Sequence, residues 1–311
     1  MHLTPASRRH RRRDTPKESG LSPISMTDTP DGMQLACYRW EPDPAVAHGR
    51  GIYMLHGLGE HAGRHDRLAR WLADRGWQVA AHDHRGHGRS TGHRATLRRP
   101  DDLVEDALRQ LRAWSAELAR PPVLLGHSLG GLLAARIGLR GDLPLDGLVL
   151  ASPPFQVTLP AWKTEALKLL ANWAPDLRVG HGLRTLQISH DPIAVRAYYD
   201  DPLVHDRMTG KLARFIHDAG AQALADAPTL RWRTLLLVAG ADAIVDPAGS
   251  RAFADRAPPG MLALRWYDRA WHELFNETPE LAAPVYADLD HWLAQFPQAA
   301  PVIPAAPAAN P

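Results

Sequence analysis

The stretch Pro122-Val-Leu-Leu-Gly-His-Ser-Leu-Gly-Gly131 decides how the rest of the chain is read. Four apolar or small residues, Val123 to Gly126, lead into Ser128, and Leu132, Leu133, Ala135 and Ile137 follow in a helical pattern. A short apolar run bounded by Pro and Gly predicts a buried strand, and the periodic segment behind it a helix. Ser128 then sits where a strand turns sharply into a helix, with Gly126 and Gly130 at the positions where a Cβ would strike the neighbouring element. This G-x-S-x-G turn pushes the serine hydroxyl clear of the backbone and sets the N–H of Leu129 beside it. The helix N-terminus adds unpaired N–H groups and a positive dipole end, both suited to a developing oxyanion. The plainer alternative is that Ser128 only caps the helix, so its partners decide.

Strands and helices alternate on both sides of this turn. Met33 to Trp40 reads as an edge strand, and Gly51-Ile-Tyr-Met-Leu55 as a buried one ending in His56-Gly-Leu-Gly-Glu60. A helix over 64–75 carries Leu68, Trp71 and Leu72 on one side. The strand Trp77 to Ala81 stops at His82-Asp-His-Arg-Gly-His-Gly-Arg-Ser90. A helix from about Asp101 to Ala119 shows the stripe Leu103, Ala107, Leu111, Trp114. Beyond the turn come strands at Leu145–Ala151, Leu235–Val238 and Leu262–Tyr267, with helices over 246–256 and 278–294. The expected fold class is therefore α/β, a mostly parallel sheet with helices on both faces. Ligands in such sheets collect at the carboxyl ends of strands. Four of those ends carry unusual residues: His56-Gly57, Asp83, Ser128 and Asp242.

The interval 155–230 breaks the alternation and far exceeds the ordinary length of a strand–helix connection. Trp162, Ala166, Leu169, Leu170 and Trp173 form one helical stripe, and Leu212, Phe215, Ile216, Ala219 and Ala223 a second. A helical cap inserted over the strand ends is expected, though both stripes would also suit plain packing on the main core. The expected organisation is thus a core over 27–154 and 231–297, a cap over 155–230, and tails over 1–26 and 298–311.

Composition narrows the function classes. Hydrophobic content of 45% and charged content of 23% are ordinary for a soluble globular protein. No stretch approaches the ~20 apolar residues that span a bilayer. The net charge of +2 conceals an asymmetry, because residues 1–25 hold six basic side chains against Asp14 and Glu18, leaving −2 for the remainder. That balance gives no general pull toward nucleic acid. The basic run Arg8 to Arg13 has no apolar segment behind it and is not a secretory signal. A disordered tail is expected there, with Met26 as an alternative start; the Pro/Ala-rich end reads the same way. A single cysteine, Cys37, excludes an intramolecular disulfide and suits a reducing, cytoplasmic setting.

A serine hydroxyl is a weak nucleophile and needs a base, itself held by a carboxylate, in the chain order Ser, acid, His. Asp242 follows the buried strand Leu235-Leu-Leu-Val-Ala-Gly240 directly. Asp246 is its competitor, but Pro247 marks it as a helix cap, so Asp242 is preferred. Among 17 histidines, His272 is singled out by its place after the last strand. Gly57 and Gly59 let the backbone N–H of Leu58 turn inward as a second oxyanion donor beside Leu129. His82, Asp83, His84 and His87 suggest a metal, but neighbouring residues on a strand point opposite ways and Arg85 and Arg89 oppose a cation. Local pairing of Asp83 and Arg85 is expected instead.

With these residues placed, the chain resembles the α/β-hydrolase superfamily, and within it the monoacylglycerol lipase and lysophospholipase group of serine aminopeptidase S33-like hydrolases. The matching motifs are His56-Gly-Leu-Gly-Glu-His61 with Arg64, Asp83-His-Arg-Gly-His-Gly-Arg-Ser90 with Gly92, Gly126-His-Ser-Leu-Gly-Gly131, Tyr198-Tyr-Asp-Asp-Pro-Leu203, Gly240-Ala-Asp242 and His272. They cover about Thr27 to Phe296. The resemblance implies a triad of Ser128, Asp242 and His272, oxyanion donors at Leu58 and Leu129, and Tyr198 near the alcohol end of the substrate. It also implies an acyl-chain tunnel under the cap and no cofactor. The expected substrate is a single-chain lipid ester, a monoacylglycerol or a lysophospholipid, with transient membrane-surface contact through the cap. A peptidase acting on small aminoacyl substrates and a catalytically silent binding protein are the alternatives.

Overall fold

Leu124 and Leu125, side by side on the strand that feeds Ser128, point into two different cores, and this division organises the molecule. The computed structural model describes residues 25–156, 169, 172–182 and 185–296. Its main sheet is built from β1 (Ser25–Asp28), β2 (Gln34–Trp40), β3 (Gly51–Leu55), β4 (Gln78–His82), β5 (Val123–His127), β6 (Gly147–Ala151), β9 (Thr234–Ala239) and β10 (Leu262–Tyr267). The spatial order is β1-β2-β4-β3-β5-β6-β9-β10. Every pairing from β4 to β10 is parallel; β1 with β2 and β2 with β4 are antiparallel.

Every residue of β3, β5, β6 and β9 is buried, as their continuous apolar runs require of strands covered on both faces. The helices α2 (Asp102–Ser115) and α3 (Leu129–Arg140) cover one face, where Tyr53, Leu55, Leu124, Leu148, Leu150, Leu236 and Val238 meet them. On the other face Ile52, Met54, Leu125, Val149, Leu235 and Leu237 share a core with Leu68 and Leu72 of α1 (Asp66–Ala73). Val285 and Leu289 of α7 (Pro279–Leu293) complete that core. Truncating one such leucine to alanine costs about 2–5 kcal/mol.

The chain runs from β3 outward to β4, then returns across β3 to β5. The direction of winding therefore reverses between β3 and β5, where Leu55 pairs with Gly126. A crevice opens at the carboxyl ends of strands at such a reversal. The loop after β3 and the turn after β5 face each other there.

Several boundaries differ from the sequence reading. Strand β1 lies outside β2 and begins at Ser25, inside the stretch read as a tail; Met26 pairs with Ala36. Four residues with no apolar alternation give no periodic signal. Helix α2 stops at Ser115, where the N–H groups of Glu117 and Leu118 turn to the carbonyls three residues back. The interval 155–230 is not wholly helical. It holds α4 (Pro192–Asp200) and α5 (Gly210–Asp226), but β7 (Arg178–Gly180) and β8 (Arg207–Thr209) pair antiparallel within it, and three-residue strands are too short for a period to show.

The stripe on α5 packs into the main core through Leu212, Phe215, Ala219 and Ala223, with Ile216 at its margin. Of the other stripe, Trp162, Ala166 and Leu170 lie outside the described residues, while Leu169 and Trp173 are 59% and 85% exposed. No helix among the described residues is long and apolar enough to cross a membrane.

Candidate active site

Ser128 has φ 51° and ψ −122°, a conformation that costs a non-glycine residue about 1–3 kcal/mol. What holds it is close packing of backbone. A Cβ on Gly126 would collide with the carbonyl of Gly130, and one on Gly130 with the carbonyl of Leu55, so strand, turn and helix interlock only with glycine at both places. The Ser128 N–H donates to the carbonyl of Ala151 (2.9 Å), and its own carbonyl accepts from Leu132 (3.0 Å). Its side chain makes no capping bond to α3, which removes the plainer reading. Leu129 is the first helical residue, so its N–H is one of the donors an α-helix leaves without an internal partner.

Opposite the turn lies the loop after β3. A Cβ placed on Gly57 would come within 3.2 Å of the Ser128 Cβ, so this loop passes directly alongside the serine. Its shape is fixed from within: the Gly57 N–H donates to Glu60 Oε1 (2.5 Å), and Gly59 takes φ 75°. His56 Nδ1 donates to the carbonyl of Gly57 (2.8 Å), while its Nε2 accepts the N–H of His84 (2.9 Å). Those two roles require a neutral ring, and burial pushes its pKa well below the ordinary value.

Asp242 follows β9 and its Oδ1 accepts the N–H groups of Ile244 (2.8 Å) and Val245 (3.0 Å). Its Oδ2 accepts from His272 Nδ1 (2.6 Å). The His272 ring lies 4.8 Å from that of His127, the residue before Ser128. Burial alone would depress the His272 pKa, but the Asp242 charge, with Glu273 and Glu60 behind it, overrides burial and holds it above the ordinary value. Burial likewise opposes ionisation of Asp242, yet His272 and the two backbone N–H groups keep its pKa low. Asp246, the competing carboxylate, accepts from Ala248 N (2.9 Å) as the N-cap of α6 (Pro247–Arg256).

The sequence reading quoted Glu60 and Arg64 in a family motif but assigned them no role, and it did not find Glu273. Arg64, its side chain 7% exposed, donates to Glu60 Oε2 (2.7 Å) and holds both oxygens of Glu273 (2.7 and 2.9 Å). It thereby joins the loop after β3 to the loop that carries His272. Desolvation would raise both carboxyl groups, but Arg64 and, at Glu60, His65 keep them ionised. Tyr198, on α4, is buried with its ring 4.7 Å from the Arg64 guanidinium. Besides that motif, the available signal was the i, i+4 spacing of Glu60 and Arg64 just past a buried strand.

The loop after β4 has a structural role. Asp83 accepts from Ala62 N (2.8 Å), Arg89 N (2.8 Å) and the Tyr38 hydroxyl (2.9 Å). Arg85 does not pair with it as expected; it forks onto Asp106 (2.6 and 2.9 Å) and reaches Asp102 (2.8 Å). Those two carboxylates lie on the first turns of α2, and Asp31, before β2, accepts from Arg85 as well (3.1 Å). Among the described residues no group of His, Cys, Asp and Glu could hold a metal ion.

The chain is similar to known proteins over most of its length. The family described as serine aminopeptidase, S33, matches residues 48–279. The monoglyceride lipase of Rattus norvegicus is 31% identical over 90% of this chain and 93% of its own. The monoacylglycerol lipase of Mycolicibacterium smegmatis is 34% identical over 84% and 93%. The crystal structure of Paleococcus ferrophilus monoacylglycerol lipase, 33% identical, superposes with a TM-score of 0.74 over 83% of this chain and 98% of that one.

Proposed function

The chain belongs to the serine aminopeptidase S33 family of α/β-hydrolases and is a carboxylic ester hydrolase, and from that premise we propose that it cleaves monoacylglycerols through an acyl-enzyme on Ser128. The observation that carries the reading is the 2.6 Å Asp242–His272 bond beside a strained serine turn that faces Gly57.

In this mechanism Ser128 Oγ attacks the ester carbonyl and gives its proton to His272 Nε2. Asp242 keeps the Nδ1–H in place and stabilises the imidazolium, which is why a raised His272 pKa serves the first step. Negative charge on the carbonyl oxygen is met by the N–H groups of Leu58 and Leu129. Each such donor contributes about 2.7–4 kcal/mol to the transition state. Collapse of the intermediate expels glycerol, which takes the proton from His272. Water then repeats the sequence on the acyl-enzyme and releases the fatty acid. Tyr198, packed against Arg64 over the same loops, is proposed to line the alcohol side.

The region between β6 and β9 is proposed to form the cap. Leu169, Trp173 and Leu177 are exposed on it, which supports transient contact with a lipid surface by a cytoplasmic enzyme.

Two measurements test the proposal. The Ser128→Ala variant should lose labelling by a fluorophosphonate together with turnover of a p-nitrophenyl ester; labelling that persists refutes the nucleophile. Release of fatty acid from monoacylglycerols and lysophosphatidylcholines of graded chain length decides the head group. Faster turnover of the lysophospholipids, or of an aminoacyl amide, would replace the monoacylglycerol assignment.

A further inference from the structure

Glu277 is a carboxylate the mechanism above does not use, and it has no exposed surface. Its Oε1 accepts the backbone N–H of Trp271 (2.6 Å) and His190 Nδ1 (2.8 Å). Its Oε2 accepts the backbone N–H of His190 (2.8 Å) and lies 3.3 Å from the Ser189 hydroxyl. That hydroxyl has one hydrogen, and its nearer acceptor is the carbonyl of Asn276 (2.8 Å). Two further contacts run alongside: Glu273 N–H donates to the carbonyl of Ile188 (2.8 Å), and the His190 ring stacks on Trp271 with centroids 3.8 Å apart.

A buried carboxylate is costly unless donors fill its lone pairs. Here the donors come from two segments with different duties. Residues 188–190 run directly into α4, the helix that carries Tyr198, and Trp271 immediately precedes His272. We infer that Glu277 is a positioning residue that locks the backbone entering His272 to the start of α4, so that the general base and the segment above it take their working places together. The inference rests on the role proposed for His272.

Glu277 touches no reacting atom. It acts through the Trp271 N–H on one side and through His190 and Ser189 on the other. Glu277→Ala cuts both. Its kcat on a soluble p-nitrophenyl ester should fall about tenfold or more, the scale produced by displacing a catalytic group by part of an ångström. The low-field proton resonance of the Asp242–His272 bond should shift or broaden with it. Glu277→Gln, which keeps one acceptor oxygen, should recover part of both. His190→Ala removes the Nδ1 donor and the ring stacked on Trp271 but keeps both backbone N–H groups on Glu277, so it should raise KM for a monoacylglycerol several-fold and lower kcat on the soluble ester less than Glu277→Ala does.

A residue that merely stabilised the fold would lower the melting temperature without moving kcat or the resonance of the folded enzyme. A folded Glu277→Ala variant with both unchanged overturns the inference, and so does His190→Ala with an unchanged KM. If Glu277→Ala does not fold, His190→Ala alone decides. Failure of the reaction assignment is distinguishable, because it shows as an unaltered protein that hydrolyses no ester, or as a Ser128→Ala variant that still does.

Discussion

In the proposed site, the floor of strand-end loops and the roof, the region between β6 and β9 proposed as the cap, are built differently. The floor consists of loops at the ends of β3, β5, β9 and β10, where the side chains of Glu60, Asp242, His272 and Glu273 are shielded from solvent and the carboxylates are held by named partners. The roof, between β6 and β9, leaves Trp173, Leu177, Leu186, Ile193 and Tyr199 exposed. Among the described residues it is tied to what lies beneath through Tyr198, the Glu277 clamp, the apolar face of α5, and polar contacts such as Asp201 with His61 and His205 N–H with the carbonyl of Gly59. A floor that must hold a proton path within tenths of an ångström tolerates little change. A roof that admits a greasy chain needs surface more than geometry, so floor variants should act on kcat and roof variants on KM.

The largest effect should come from Asp242→Asn, which leaves the shape of the floor but removes the charge facing His272. A loss of about 10⁴-fold in kcat is expected by analogy with other serine triads, read on a soluble ester. A loss below about tenfold would pass the carboxylate role to another group and break the contrast. Next comes Glu60→Ala. It frees the Gly57 N–H and loosens the loop that presents Leu58, and should cost on the order of 10² in kcat, the worth of one oxyanion donor, with KM little changed.

The pH dependence sharpens the same point. His272 must be neutral to accept a proton, so kcat/KM should rise with pH through a midpoint above the ordinary histidine value and be lost as pH falls. Glu273→Gln removes one of the negative charges that raise it, so the midpoint should move down; a midpoint that stays put would separate this carboxylate from the base. The smallest effect belongs to the roof. Trp173→Ser with Ile193→Ser should raise KM for long-chain monoacylglycerols a few-fold and leave turnover of a short soluble ester intact.

The same division explains what the sequence disclosed. The serine turn was legible because two glycines at fixed offsets from Ser128 are demanded by local sterics, and Asp242 was separable from Asp246 because Pro247 marks a helix start. The alternating cores followed from continuous apolar runs such as Leu148-Val-Leu150. By contrast Arg64 and Glu273 lie far apart in sequence, and a buried ion pair leaves no periodic trace in either segment. Glu277 looked like an ordinary acidic residue before a helix. The short strands β1, β7 and β8 were invisible for a related reason: their pairing depends on distant backbone, not on their own composition. Arg85 was expected to bind locally, and its partners Asp102 and Asp106 on α2 and Asp31 before β2 became apparent only when those segments were packed against the loop.

The φ of 51° at Ser128 has a consequence beyond catalysis. Glycine would sit there without strain, so the most comfortable residue for the backbone at this one point is also the one that would silence the enzyme. A strained serine at this one point therefore costs the backbone what glycine would not, and the chemistry proposed for it is what offsets that cost.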